Sequence, residues 1–275
     1  MTYRDICNRL TAVYETGEAR AIARLLLEEA FGLTLADICS GKDTQFSAAE
    51  EEKLNSFLQR LLQAEPIQYV LGSETFCGRR LSVRPGVLIP RPETEELCRW
   101  VTADWQDADH PLRVLDVGTG SGCIAVTMAL DLPQAEVEAW DISPTALEVA
   151  QENARLLGAR VTVREADALH RPADSGPWHI IVSNPPYIAH GERTAMHRNV
   201  TDYEPAEALY VDDPMLFYRA LADYYPAVLP GGAIYMELNP VVAHTLCREA
   251  EARGWQPTLR RDVQGLWRMI RLKKP

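Results

Sequence analysis

The sequence predicts an α/β protein: a doubly wound, mostly parallel sheet of seven strands, with a small N-terminal helical domain and a β-hairpin linker before it. Three observations carry this. From Leu112 onward, short apolar runs alternate with helical segments, the order that builds a parallel sheet. Roughly the first 70 residues show only helical periodicity. Between the two, Glu74 to Pro90 changes to strand-like character with turn residues. At about 150 residues per domain, a chain of 275 residues has room for one to two domains. The boundaries expected are residues 1–72 for the helical domain, 73–92 for the hairpin linker and 93–275 for the α/β domain.

Each element has a local reason. Ala19, Ile22, Leu26 and Ala30 recur at helical spacing. Ser47 and Glu50 form a capping-box pair before a helix carrying Leu54, Leu58, Leu61 and Leu62, and Pro66 marks a further helix start. In the linker, Phe76, Leu81, Val83, Val87 and Ile89 suggest short strands, with a turn at Arg84-Pro85-Gly86. The prolines at 90 and 92 stiffen a loop, after which a helix with Leu97, Trp100, Val101 and Trp105 begins. The seven strands are expected at Arg113–Val117, Val137–Trp140, Val161–Arg164, His179–Ser183, Ala233–Leu238, Thr258–Arg260 and Trp267–Arg271. Ser143-Pro144 fits an N-cap and first helical turn. Pro230-Gly231-Gly232 fits a turn before the fifth strand, and Gly254 a helix end. The short step from Asp262 to Leu266 makes the last two strands antiparallel neighbours.

Composition excludes several classes. Hydrophobic residues are 47% and charged residues 24%, which is globular rather than disordered. The net charge is −11. Proteins that grip nucleic acid through its phosphates usually carry a basic face, so duplex DNA is disfavoured as a partner. No apolar run reaches about 18 residues, so no membrane span is expected, and the N-terminus lacks a signal-peptide core. The six cysteines form no CxxC pair. Zinc and redox motifs are therefore not expected, no metal is called for, and free thiols fit a cytoplasmic location.

Two motifs carry chemistry. The first is the apolar strand Val114–Val117 running into Gly118-Thr119-Gly120-Ser121-Gly122. Such a turn lies at the carboxyl end of a strand, where open α/β sheets bind ligands, and glycine lets a ligand approach the backbone. The spacing is GxGxG. A dinucleotide fingerprint needs glycine at 123, where Cys123 stands, and no Lys-Ser/Thr pair follows as in a P-loop. Asp141 comes 23 residues after Gly118, at the end of the second strand. It suits the two ribose hydroxyls of a nucleoside, or alternatively a helix N-terminus. Asp167 and Ala168, after the third strand, are candidates for an adenine amino group and ring, and equally for an exposed loop.

The second motif is Asn184-Pro185-Pro186-Tyr187, which closes the strand His179–Ser183. The prolines cannot extend a ladder and so hold their carbonyls in set directions. Asn184 offers one acceptor oxygen and two donors, and Tyr187 a flat apolar face. Together they suit a planar –NH₂ group. Its two hydrogens would meet the Asn184 oxygen and a proline-turn carbonyl, with the Tyr187 ring against its plane.

With these residues the chain resembles class I S-adenosylmethionine-dependent methyltransferases that act on amino nitrogens. Pro66-Ile67-Gln68-Tyr69-Val70-Leu71-Gly72, Leu88-Ile89-Pro90-Arg91-Pro92-Glu93-Thr94-Glu95 and Tyr203-Glu204-Pro205 narrow the resemblance to the HemK/PrmC family. It covers nearly the whole chain and is most specific at Pro90–Glu95. It implies methylation of the glutamine N5 in the GGQ motif of peptide chain release factors, from S-adenosyl-L-methionine to S-adenosyl-L-homocysteine. Gly118, Thr119, Gly120, Ser121, Gly122, Asp141, Asp167, Ala168 and Asn184 would bind the cofactor. Asn184, Pro185, Pro186 and Tyr187 would hold the glutamine, and Arg91 the protein substrate or the active-site loop. The alternative for Arg91 is a surface ion pair with Glu93 or Glu95. The helical domain would recognise the release factor. The chain departs from the family pattern at Leu238-Asn239-Pro240, where relatives usually have a glycine followed by glutamine, and after Pro205, where paired glycines are missing. Two other readings compete: an adenine-N6 methyltransferase on DNA or RNA, and a non-catalytic cofactor-binding docking protein.

Overall fold

The computed structural model describes Met1–Pro275, the side chains of residues 44 and 193–195 excepted. The chain divides into two compact units: Met1–Ser73 with His197–Tyr203, and Glu74–Met196 with Glu204–Pro275.

The first unit holds helices α1 (Tyr3–Leu10), α2 (Thr16–Phe31), α3 (Leu35–Cys39), α4 (Ala48–Leu61) and α5 (Ile67–Leu71). Thr2 with Asp5, Thr34 with Asp37, and Ser47 with Glu50 each close a capping box on α1, α3 and α4. Each satisfies two otherwise orphaned N–H groups. Gly32 and Gly72 end α2 and α5 in the left-handed conformation. Ile6, Leu10, Leu26, Leu27, Leu54 and Leu58 are fully buried and form the core of the unit. Burying each is worth about 1.5–3 kcal/mol.

The second unit opens with the hairpin β1 (Ser73–Phe76) and β2 (Arg79–Ser82). The hairpin turns at Cys77-Gly78, both at positive φ, the geometry a two-residue hairpin requires. The Arg84-Pro85-Gly86 turn exists but follows the hairpin, and residues 83–91 are irregular. The sequence expectation was misled because cysteine is an unusual residue for that turn. Then come α6 (Pro92–Trp105), β3 (Leu112–Val117), α7 (Cys123–Asp131), β4 (Ala135–Asp141), α8 (Pro144–Leu156), β5 (Val161–Glu165), β6 (Trp178–Ser183) and the short β7 (Ile188–Ala189). The chain passes through α9 (Arg198–Thr201) in the first unit. It continues with α10 (Ala206–Leu209), β8 (Tyr210–Val211), α11 (Leu216–Ala222), β9 (Val228–Glu237), α12 (Ala243–Ala252), β10 (Gln256–Arg261) and β11 (Trp267–Lys273).

The seven-stranded sheet has the order β10-β11-β9-β6-β3-β4-β5. Pairings among β9, β6, β3, β4 and β5 are parallel, and β11 is antiparallel to both its neighbours. The expected fold class and all seven strands are present. One detail differs: Pro230-Gly231-Gly232 lies inside β9. The pairing of β9 to β6 skips there, from Trp178↔Val228 to Ile180↔Ala233, so the Pro-Gly-Gly segment is accommodated as a bulge rather than ending the strand.

Central strands are buried on both faces, as parallel sheets require. Val114, Ala139, Val182 and Tyr235 pack with Leu97, Val101, Ile124 and Met128 of α6 and α7. Leu115, Trp140, Ile181 and Met236 pack with Tyr218, Leu221 and Leu246 of α11 and α12. Buried Asn153 on α8 ties the hairpin to the sheet loops. It accepts from Ser82 N (2.7 Å) and donates to Ser82 O (2.9 Å) and Ser121 O (2.8 Å). Among the described residues no helix is long and apolar enough to cross a membrane.

Candidate active site

Strand register brings distant residues to one edge of the sheet. Ser183 pairs with Val117 and its hydroxyl donates to the Val117 carbonyl at 2.7 Å. Gly118 and Asn184 therefore leave the sheet side by side. Val117 pairs with Trp140, Asp141 with Glu165, and Ser183 with Met236. Asp141, Glu237 and, two residues past its strand, Asp167 thus emerge at the same carboxyl edge. Between β3 and β6 the order reverses, with β3 leading to β4 on one side and β6 toward β9 on the other, the switch point where open sheets bind ligands.

The glycine loop is open where a ligand would lie and closed where helices meet. Gly118 and Gly120 adopt φ 71° and 54°, and a Cβ on either would meet nothing within 4 Å. Gly122, at φ 79°, differs: its Cβ would stand 2.9 Å from Ala150 Cα of α8. Glycine at 122 serves helix packing.

Carboxylates brace the loop. Asp116 is fully buried, and its Oδ2 accepts from Thr119 Oγ1 (2.6 Å) and Ala125 N (3.1 Å). Its Oδ1 is buried without a partner among the described residues. Burial pushes the Asp116 carboxyl up to about 7, against the pull of those hydrogen bonds. Asp141 accepts from Gly120 N through Oδ2 and from Ser143 N through Oδ1, each at 2.9 Å. Asp167 accepts from Leu169 N (2.8 Å) and pairs with His170 Nδ1 (2.6 Å), which holds its carboxyl below the usual range.

The Asn-Pro-Pro-Tyr turn is anchored from behind. Asn184 Nδ2 donates to Thr94 Oγ1 (3.0 Å), Thr94 Oγ1 donates to Glu237 Oε2 (2.7 Å), and the Tyr187 hydroxyl donates to Glu237 Oε1 (2.8 Å). Burial raises the Tyr187 phenol well above its ordinary value, with the Glu237 charge adding to it. Asn239 donates from Nδ2 to the Tyr187 carbonyl (3.4 Å) and accepts from Val241 N (3.1 Å), which gives the turn one more tie. Arg91 pairs through Nη2 with buried Glu204 at 2.5 Å, and Glu204 also accepts from Ile89 N at 3.0 Å. The partner of Arg91 is therefore Glu204 of Tyr203-Glu204-Pro205, rather than Glu93 or Glu95.

A cavity of about 240 Å³ is lined at once by Gly118, Gly120, Asp141, Asp167, Ala168, Asn184 and Pro186. A smaller one of about 30 Å³ adjoins Arg91, Thr94, Thr119, Ser121 and again Gly118, Gly120 and Asn184. Of the other sequence candidates, Gly122 lines neither, Pro185 is buried in the turn, and Tyr187 packs against the core beneath. A larger cavity, about 560 Å³, lies at the opposite strand ends around Arg113, Glu136, Arg160 and Trp178 and is lined by none of the candidates.

Residues 3–72 match the PrmC N-terminal domain family, and residues 103–203 the Methyltransferase small domain family. A release factor glutamine methyltransferase of Bacteroides thetaiotaomicron is 41% identical over 276 residues, covering 96% of this chain and 98% of that protein. The chain belongs to the release factor glutamine methyltransferase family. Another family member, from Deinococcus radiodurans, is 37% identical over 100% of this chain and 99% of its own length. Among solved structures, a T. thermophilus 16S rRNA N2 methyltransferase in complex with AdoMet and guanosine aligns at TM-score 0.53 and 18% identity. It covers 74% of this chain and 50% of its own. A Pyrococcus furiosus methyltransferase aligns at 0.51 and 16%, covering 70% and 87%. These two share the fold.

Four residues of this family member's site were not singled out as site residues in the sequence: Thr94, Asp116, Glu204 and Glu237. Their signal was a carboxylate inside an apolar run for Asp116 and Glu237, and a fixed motif context for Thr94 and Glu204. Their partners lie too far along the chain to be read from it.

Proposed function

We propose that this family member methylates the side-chain N5 of the glutamine in the GGQ motif of peptide chain release factors, in support of translation termination. S-adenosyl-L-methionine is the donor and S-adenosyl-L-homocysteine the product. The observation that carries this is the single cavity bounded by the glycine loop, the strand-end acids and the Asn-Pro-Pro-Tyr turn.

The residues fit the cofactor. Each Asp141 oxygen holds one backbone N–H. A carboxylate has about four acceptor sites, which leaves capacity for two ribose hydroxyls. Asp167 and Ala168 would meet the adenine. Gly118 to Ser121, which line the two adjoining cavities, would hold the remainder. The bound cofactor supplies an electrophilic methyl group.

The remaining work belongs to the chain. A carboxamide nitrogen is a poor nucleophile because its lone pair is delocalised into the carbonyl. Asn184 Oδ1 and the Pro185 carbonyl accept its two hydrogens, Pro186 stiffens the turn, and Tyr187 bounds the plane. Fixing one orientation is worth about 7–11 kcal/mol in well-aligned reactions. The same acceptors bind more strongly as the nitrogen becomes tetrahedral and positive, which is stabilisation specific to the transition state. Water takes the proton afterwards.

Arg91, clamped by Glu204, orders the loop that faces the substrate. Residues 1–72 dock the release factor, and the protein works in the cytoplasm. Net charge −11 weighs against a nucleic-acid substrate. Incubation with labelled cofactor tests the reading: label enters purified release factor and not DNA or RNA. Label in nucleic acid, or in neither, overturns it.

A further inference from the structure

Two side chains outside the proposed contacts stand behind the turn. Glu237 ends β9 and is 2% exposed, and Thr94, in the first turn of α6, is equally buried. Glu237 receives two hydroxyl hydrogens, one from Thr94 and one from Tyr187. Burial raises its carboxyl above the ordinary value, with the Glu93 charge adding to it, and both hydrogen bonds and the Arg268 charge offset only part of the rise.

Counting donors settles what Thr94 offers to Asn184. A threonine hydroxyl has one hydrogen, and an ionised Glu237, receiving a hydroxyl hydrogen on each oxygen, has none. The hydrogen of Thr94 is therefore committed to Glu237, and its oxygen meets Asn184 as an acceptor. Only the NH₂ end of Asn184 satisfies that contact, which is the 3.0 Å bond observed. The reverse orientation would set two acceptor oxygens against each other with no hydrogen between them, at a buried site where unpaired polar atoms are costly. Asn184 Oδ1 has no partner among the described residues, and Asn184 lines the cavity.

We propose that the Glu237 carboxylate, acting through Thr94, fixes which end of the Asn184 amide faces the substrate, so that an acceptor oxygen rather than NH₂ meets the carboxamide to be methylated. Glu237 and Thr94 are positioning residues, and the Tyr187 hydroxyl shares the same carboxylate, which locks the two ends of the turn to one point. This rests on the function proposed above. Without the lock Asn184 samples both orientations, and one of them opposes NH₂ to NH₂.

The test combines turnover with a direct reading of the amide. Thr94→Val removes the acceptor while keeping the shape, and kcat falls at least about tenfold with cofactor Kd within about twofold. Thr94→Ser restores kcat. Glu237→Gln lowers kcat, and lowers it by a smaller factor in the Thr94→Val background than in the wild type, because its path to Asn184 runs through Thr94 while its tie to Tyr187 is separate. NMR of the Asn184 side-chain NH₂ shows slow solvent exchange in the wild type and in Thr94→Ser, and fast exchange in Thr94→Val. Where Thr94→Val does not fold, Thr94→Ala replaces it. Wild-type turnover in Thr94→Val, additive losses in the double variant, or unaltered Asn184 exchange overturns the proposal. The NMR arm needs no substrate. A wild-type protein that transfers no methyl to release factor therefore refutes the functional reading, while the exchange data alone decide the orientation.

Discussion

Asn184 divides its amide between a partner inside the protein and an oxygen left for something outside it. Asn184→Ala removes that oxygen, and about 10²–10³-fold is lost from kcat while cofactor affinity stays measurable by titration. Full turnover in that variant contradicts the role. Asp141 works on the other side of the cavity. Asp141→Ala weakens cofactor binding by about 10- to 100-fold, the worth of hydrogen bonds to a charged group, and an unchanged dissociation constant removes Asp141 from the site. Asp116 makes a pH prediction. Its carboxyl is raised from 3.8 to about 7 in the folded chain, so the folded state holds a proton that the unfolded state has lost. Its contribution to stability is complete below pH 3.8 and is lost as pH rises through about 7. Asp116→Asn has no such loss. In denaturant titrations its stability relative to wild type improves by about 3 kcal/mol between pH 5 and pH 8. A constant difference between the two proteins contradicts the assignment.

The glycine loop separates two demands that look alike in sequence. Gly120 faces open space and Gly122 faces Ala150 of α8. Gly120→Ala costs about 1–2 kcal/mol of backbone strain and lowers cofactor affinity. Gly122→Ala adds overpacking and costs about 2–4 kcal/mol with less direct effect on binding. Denaturation and titration of both variants check this, and the reverse ranking contradicts it. Elements of this kind were readable because their signals are local: strand runs ending in Gly118 and Asn184, the Ser47–Glu50 capping box, and the Ser143-Pro144 helix start. The hairpin turn was misread because Cys77-Gly78 carries its positive φ without the usual asparagine or aspartate. Pro230-Gly231-Gly232 reads as a turn before the fifth strand because a bulge inside a strand uses the same residues as a turn. The Thr94–Glu237 and Arg91–Glu204 pairs were invisible for a different reason. Their partners meet only after α6 and β9, or two distant loops, have been brought together by the sheet.

At the scale of the molecule, parallel order assembles the site. Asp141, Gly118, Asn184 and Glu237 come from four strands, β4, β3, β6 and β9, that are consecutive in space and not in sequence. A carboxyl edge built this way needs only correct register to align its groups, which explains why separate motifs sufficed to locate the cavity but not the network behind it. Tandem mass spectrometry of a release factor after incubation with enzyme and S-adenosylmethionine tests the central claim most directly. One methyl group on the side-chain nitrogen of the GGQ glutamine, formed at an initial rate about 10²–10³-fold lower when Asn184→Ala replaces the wild type, is the expected result. A methyl group on any other residue, or the wild-type initial rate from the Asn184→Ala protein, contradicts it.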